Sequence, residues 1–99
     1  MDVTYINILE RTKMTKINFK EFPLKNGIKR NGHQILDVRE SLADLIYSNI
    51  NGIAALTLAQ KVFTSDEETE YEDDEIKMLK DVIGQLCTAR MIDSFNALI

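Results

Sequence analysis

The sequence has few of the residues that cross-link, bend or interrupt a chain. Its 99 residues include one cysteine, one proline and four glycines. Because Cys87 is the only thiol, no intrachain disulfide can form, which is typical of a reducing compartment, where a lone cysteine usually behaves as a small buried hydrophobe. The scarcity of proline and glycine argues against a low-complexity linker or a fibrous repeat.

Long apolar segments and a targeting signal are also lacking. No apolar run approaches the roughly 18 to 20 residues that cross a bilayer. The N-terminus has no basic stretch followed by an apolar stretch and a small-residue cleavage site, so no secretory signal is recognised. We therefore expect a cytoplasmic protein with no membrane partner.

The groups that usually carry catalysis are sparse. His33 is the only histidine, and no Gly-rich phosphate loop occurs. Cys87 closes an apolar helical segment, where a thiol stays protonated and unreactive, so a nucleophilic pair with His33 is not favoured. We expect no enzymatic activity, no catalytic residue and no cofactor.

The acidic run at residues 66–75 has eight carboxylates in ten positions. A calcium loop needs glycine at its sixth position and glutamate at its twelfth. Counted from Asp66, those positions hold Tyr71 and Lys77, so the pattern does not predict a metal site. Like charges at this density resist compact structure, and we expect a solvated loop that leads into a helix.

The net charge of −4 hides a strong division along the chain. Residues 1–30 carry seven basic and three acidic residues, a net charge of +4, whereas residues 31–99 carry five basic and thirteen acidic residues, a net charge of −8. Such a division fits either a basic surface that binds a polyanion or self-complementary packing of the two segments. The second interpretation is the simpler one.

The N-terminal third predicts strands. Residues 3–9 are rich in β-branched and aromatic side chains and predict a strand, although Met14 is an equally plausible start, in which case residues 1–13 are an extension with little structural role. Alternation in places within residues 15–24 predicts a half-buried strand, which Phe22-Pro23 ends. The turn signals Asn26-Gly27 and Asn31-Gly32 predict a hairpin back to a strand at residues 33–36.

The remainder predicts helices. Asp37 with Glu40 forms a capping-box pattern for a helix that runs to about Asn49. Residues 53–63 predict a second helix that is apolar around most of its circumference and therefore belongs in the interior. A third helix begins with acidic residues, whose negative charge is favourable at the N-terminal end of the helix dipole. Thr88 is a plausible N-cap for a short last helix. The predicted fold is one α+β domain, an N-terminal hairpin packed against three to four helices.

Two sets of residues are candidates for binding. The basic hairpin between Lys13 and Arg30 could follow a phosphate backbone, and its candidate nucleic-acid-binding residues are Lys16, Lys20, Lys29 and Arg30. The acidic run and the apolar chain end could contact a protein, and the candidate partner-binding residues there are Glu68, Glu70, Tyr71, Glu72, Phe95 and Ile99. The apolar chain end also makes self-association plausible.

Three segments carry a resemblance to a family. The hairpin at residues 22–28, the Asp-led helix at residues 37–47 and the stretch at residues 55–63 together resemble small proteins of unassigned function encoded by phages, prophages and related mobile elements. The resemblance covers residues 17–99, transfers no site residue and implies a mobile-element origin, hence the host cytoplasm. It leaves open an accessory factor, an assembly chaperone or virion component, and a companion to nucleic-acid enzymes. We expect a non-enzymatic protein-protein interaction module, with a nucleic-acid-binding accessory protein as the alternative.

Overall fold

The computed structural model describes residues 14–29 and 31–99, and these form four short strands and four helices. The α+β class and the packing of a hairpin against helices are confirmed. The predicted strand at residues 3–9, and the side chains of Lys13 and Arg30, lie outside the described residues. The elements are β1 (Met14–Lys16), β2 (Phe22–Lys25), β3 (His33–Leu36), α1 (Arg39–Asn49), α2 (Ile53–Phe63), β4 (Glu70–Glu72), α3 (Asp73–Leu86) and α4 (Ala89–Asn96).

The predicted hairpin is formed by β2 and β3, which pair antiparallel. The backbone N–H of Asn26 donates to the carbonyl of Gly32 at 3.1 Å, and Gly32 takes a φ of 115°, which favours glycine. Pro23 lies inside β2 opposite Ile35 instead of ending a strand, so that prediction is wrong. Proline is tolerated because both strands of a two-stranded sheet are edge strands.

A second antiparallel sheet joins β1 to β4, with Thr15 opposite Tyr71 and Lys16 opposite Glu70. The prediction of a solvated loop is therefore wrong for residues 70–72, whereas the predicted acidic start of the next helix at residues 73–75 is confirmed. In a strand, successive side chains point to opposite faces. The sequence Glu-Tyr-Glu consequently buries Tyr71 and leaves the flanking glutamates exposed.

The helix α1 begins at Arg39 with Val38 as its N-cap and no side-chain capping hydrogen bond. The predicted capping box at Asp37 and Glu40 is not formed. The Oδ1 atom of Asp37 instead accepts the backbone N–H of Arg39 at 3.1 Å and its Nε–H at 3.0 Å. Asp37 is therefore held by Arg39 rather than by the helix it was expected to cap.

The helix α2 has the predicted bounds, but it is not interior all round. Ala55, Leu58, Ala59 and Val62 are buried, whereas Ile53 is 77% exposed. Burial is one-sided because α2 packs chiefly against α1 and the core lies on that side. The prediction of a central helix is wrong, and an apolar stripe of α2 faces solvent.

A cluster of packed aromatic rings connects both sheets to the helices. The ring of Phe19 stacks on Phe22 at 6.0 Å and on Phe95 at 6.4 Å between centroids, and meets the Tyr71 ring edge-on at 5.6 Å. Each such pair contributes about 0.5–1.5 kcal/mol beyond area burial. The buried Ser94 hydroxyl accepts the backbone N–H of Lys25 at 2.9 Å, which docks the hairpin on α4.

The last two helices begin with side-chain caps. At α3, Glu72 and Glu75 form a capping box. At α4, the Thr88 hydroxyl accepts the backbone N–H of Met91 at 3.4 Å, so the predicted cap is confirmed. Across residues 14–29 and 31–99, none of the helices combines the length and the apolarity needed to cross a bilayer.

Candidate functional site

Three large apolar side chains are exposed where α1 and α2 meet, and we call them the α1–α2 face: Tyr47, Leu56 and Phe63. Tyr47 is 67% exposed, Phe63 56% and Leu56 38%. Single exposed hydrophobic residues are normal on a protein surface, but a contiguous group of them marks an interaction site.

The sequence of α2 explains why this face exists. Positions 55, 58, 59 and 62 follow the three- and four-residue spacing of one helical stripe, and all four are buried. Positions 53, 56 and 63 follow the same spacing along a second stripe, which α1 does not cover. A surface helix needs only one apolar stripe for its core. The second stripe has no internal function in the described part of the fold.

A shallow, open groove of about 280 Å³ lies at the junction of the two helices. Its small residues are Ala43 and Ala59, which are themselves almost completely buried and form the floor. The larger side chains that line it are Tyr47, Leu56 and Phe63, and its polar residues are Asp44 and Gln60.

A second, polar depression of about 430 Å³ is lined by Asp37, Arg39, Glu40 and Phe63. Because Phe63 lines both, the two hollows are neighbours on one surface. The guanidinium of Arg39 is held by Asp37, at 2.8 Å, and by the carbonyl of Ser65, at 3.0 Å. Hydrogen bonds from Arg39 lower the pKa of the Asp37 carboxyl, so this group is ionised at neutral pH.

We call Asp37, Glu40 and Asp44 the acidic rim of the groove. Glu40 and Asp44 are exposed on successive turns of α1. Arg39 supplies the one positive charge that lines either hollow within the described residues. Three carboxylates, against the guanidinium of Arg39 and the charge of Lys20 that acts on Asp37, leave this surface with a net negative charge.

Of the predicted nucleic-acid-binding residues, Lys16, Lys20 and Lys29 lie in the described part of the chain, and Lys16 has an acidic partner. Lys16 lies with its Nζ atom 3.1 Å from Oε1 of Glu68, and that hydrogen bond raises the pKa of the lysine. Lys20 is exposed, and its charge adds to the Arg39 hydrogen bonds that lower the pKa of Asp37. Lys29 is exposed in the hairpin turn. The Lys16 contact favours self-complementary packing of the basic and acidic segments.

The predicted partner-binding residues divide into two groups. Tyr71 and Phe95 are fully buried in the aromatic cluster, so a partner cannot reach them and their assignment is corrected. Strand alternation buries Tyr71, and Phe95 lies on the core side of α4. The other four are exposed on the surface, and they are Glu68, Glu70, Glu72 and Ile99.

The candidate catalytic groups occupy separate elements. His33 is exposed in β3, whereas Cys87 is half-buried after α3 beside Leu45 and Met91. Burial raises the pKa of the Cys87 thiol, which disfavours the reactive thiolate. In the part of the chain that the structure describes, no three histidine, cysteine or acidic side chains group together in a way that could hold a metal ion.

Sequence reasoning missed the α1–α2 face, although a signal was present. The sequence of α2 has more apolar residues than one buried stripe requires. That excess fits a central helix, and it fits equally well a surface helix with a second apolar stripe that no other element covers.

Comparison of the chain with protein-family models, curated proteins and solved structures gives no match. Function must therefore be inferred from the residues themselves.

Proposed function

We propose that this protein is a non-enzymatic interaction module that binds a protein partner through the α1–α2 face. One observation carries the proposal: Tyr47, Leu56 and Phe63 line a single groove while remaining exposed to solvent. Exposed apolar side chains are stabilised when a partner removes them from water, at about 25 cal/mol per Å². Aromatic residues are the side chains that most often dominate such contacts.

The biological setting of this module is proposed from the family resemblance alone. We propose an accessory or assembly protein of a phage or mobile element, acting in the host cytoplasm. In that setting a small non-enzymatic module would act by occupying a surface of a larger protein. Homo-oligomer formation through the same face is a competing use of it.

Nucleic-acid binding by the hairpin is the second candidate function. It is favoured by Ile28, which is 95% exposed in the hairpin turn next to Lys29. Apolar side chains at exposed positions can wedge between base steps, with lysines on the flanking phosphates. The pairing of Lys16 with Glu68 weighs against it, because that lysine already has an anionic partner.

Site-specific photo-crosslinking tests the interaction proposal. One variant carries p-benzoylphenylalanine in place of Phe63, and a matched control carries it in place of Ile28. After illumination of producing cells, we expect a discrete protein adduct at position 63 that is absent at position 28 and is lost when Tyr47→Ala is added. An adduct at position 63 that persists with Tyr47→Ala, or equal labelling at both positions, would contradict the proposal.

A further inference from the structure

We propose that the segment that fills the groove is a basic amphipathic helix of the partner protein. Its apolar side chains would lie over Tyr47, Leu56 and Phe63, and its lysines or arginines would lie against the acidic rim. This inference rests on the proposed function and adds the chemistry of the partner to it.

The form of the groove favours a helix. It lies along two packed helices, its floor is made of the small residues Ala43 and Ala59, and its walls are large apolar side chains. An amphipathic helix buries residues at i, i+3, i+4 and i+7 in such a hydrophobic groove. A strand would instead need unpaired backbone N–H and carbonyl groups, which helices do not offer along their sides.

The charge around the groove favours a basic helix. Asp44 lines the groove itself, and Asp37 and Glu40 line the neighbouring depression. Arg39 is committed to Asp37 and to the Ser65 carbonyl. The one basic residue of α2, Lys61, is paired with Glu75 at 2.8 Å. Complementary charge speeds association and selects among partners. A cationic partner is therefore attracted to this surface, and an anionic partner is repelled.

The same charges disfavour a second copy of this chain as the occupant. In a two-fold symmetric dimer each patch meets itself, so the acidic rim of one copy would approach the acidic rim of the other. The chain as a whole also carries a net charge of −4. A basic helix neutralises the rim, whereas a second copy concentrates its charge.

A displayed library of 16-residue helical peptides tests the inference with the full-length protein as bait. Apolar residues are fixed at positions i, i+3, i+4 and i+7, and all other positions are drawn from lysine, arginine, glutamate, aspartate, glutamine and serine. Selection uses the wild-type protein, with counter-selection against the Tyr47→Ala, Phe63→Ala double variant. We expect enriched peptides with a net positive charge whose binding requires the two aromatic side chains.

The charge effect is then measured by fluorescence anisotropy of the selected peptides. The double substitution Glu40→Gln with Asp44→Asn should raise the dissociation constant of a basic peptide about tenfold, which corresponds to about 1.4 kcal/mol of binding free energy. The control, Asp74→Asn with Asp81→Asn, makes the same change in net charge on α3 and should alter the dissociation constant by less than about twofold. Added salt should narrow the difference between the two double variants.

The outcomes separate the inference from the proposed function. Enriched peptides that need Tyr47 and Phe63 but are neutral or acidic would overturn the basic-helix inference and leave the interaction face standing. Peptides that bind the aromatic double variant equally well, or an absence of enrichment, would overturn both. A covalent dimer, or an internal crosslink to residues 1–13, formed by purified protein with p-benzoylphenylalanine at position 63 would assign the groove to the chain itself and overturn the inference.

Discussion

The Nζ atom of Lys61 lies 2.8 Å from Oε1 of Glu75. The same carboxylate oxygen accepts the backbone N–H of Glu72 at 2.8 Å and so completes the capping box of α3. Lys61 also lies 4.8 Å from the centroid of the Tyr71 ring. One side chain, Glu75, therefore ties α2 to the start of α3 and to the core that supports the α1–α2 face.

We predict that Glu75→Ala lowers the free energy of unfolding by about 1–2 kcal/mol, because it removes a cap and a partly buried ion pair together. The midpoint of urea denaturation measures the effect. The matched control is Asp74→Ala, which removes an exposed acid from the same turn and should change stability by less than about 0.5 kcal/mol. Equal effects of the two substitutions would show that Glu75 acts only through the helix dipole.

The hydroxyl of Tyr71 is buried near the Ser65 side chain, whose hydroxyl donates to the carbonyl of Val62, and it has no partner within hydrogen-bond distance among the described residues. We predict that Tyr71→Phe raises the free energy of unfolding by about 1 kcal/mol, since it keeps the ring and removes a buried unsatisfied group. Thermal unfolding measures the change. A loss of stability in the Phe variant would mean that the hydroxyl is satisfied.

The burial of Tyr71 also predicts that the free energy of unfolding depends on pH. Burial raises its pKa above the ordinary value of 10.0, so the unfolded chain loses this proton first. Stability contributed by the neutral phenol is complete below about pH 10 and falls as pH rises toward the folded-state pKa. The advantage of Tyr71→Phe over the wild type should therefore grow above pH 10, as measured by urea denaturation at pH 8 and pH 11. A constant difference would contradict the burial of this group.

The one-sided burial of α2 predicts opposite results for two neighbouring leucines. Leu58 is 2% exposed and Leu56 is 38% exposed. Leu58→Asp should abolish cooperative folding, because it buries an unpaired charge. Leu56→Asp should leave a cooperative thermal transition, since its carboxylate can reach water. If both variants unfold, α2 is enclosed on both sides, as its sequence alone indicated.

The lysines of the basic segment at residues 13–30 give a test of the second candidate function. We predict no salt-dependent binding of the protein to a labelled 20-nucleotide DNA, single- or double-stranded, because Lys16 is paired with Glu68 and the chain is acidic overall. Anisotropy at low salt is the measurement. Binding that weakens steeply with salt and is lost in Lys20→Gln with Lys29→Gln would favour the nucleic-acid function, because released counterions drive such binding.

Local signals in the sequence predicted most of the elements. The turn dipeptides around Lys29 located the hairpin, and the apolar run located α2 with its observed bounds. The pairing of β1 with β4 was not predictable in this way, because it joins segments more than 50 residues apart. The short alternation around Tyr71 was hidden among eight carboxylates.

The candidate site was less predictable than the fold. Helical periodicity shows which residues share a stripe, but it does not show whether a neighbouring element covers that stripe. Thus Leu58 and Leu56, which look equivalent in an apolar helix, differ in burial because α1 packs on one side of α2. Tyr71 and Phe95 were assigned to a partner surface because no local pattern revealed that Phe19 lies between them in the core.

Chemical-shift mapping tests the central claim most directly. Two-dimensional ¹H–¹⁵N spectra of the labelled full-length protein are recorded during titration with a peptide selected on the wild-type chain. We predict that the shifts concentrate at residues 43–47 and 56–63, while residues 25–29 and 89–93 stay unchanged. Shifts confined to the hairpin and α4, with the amide signals of Tyr47, Leu56 and Phe63 unmoved, would contradict the assignment of the α1–α2 face as the binding surface.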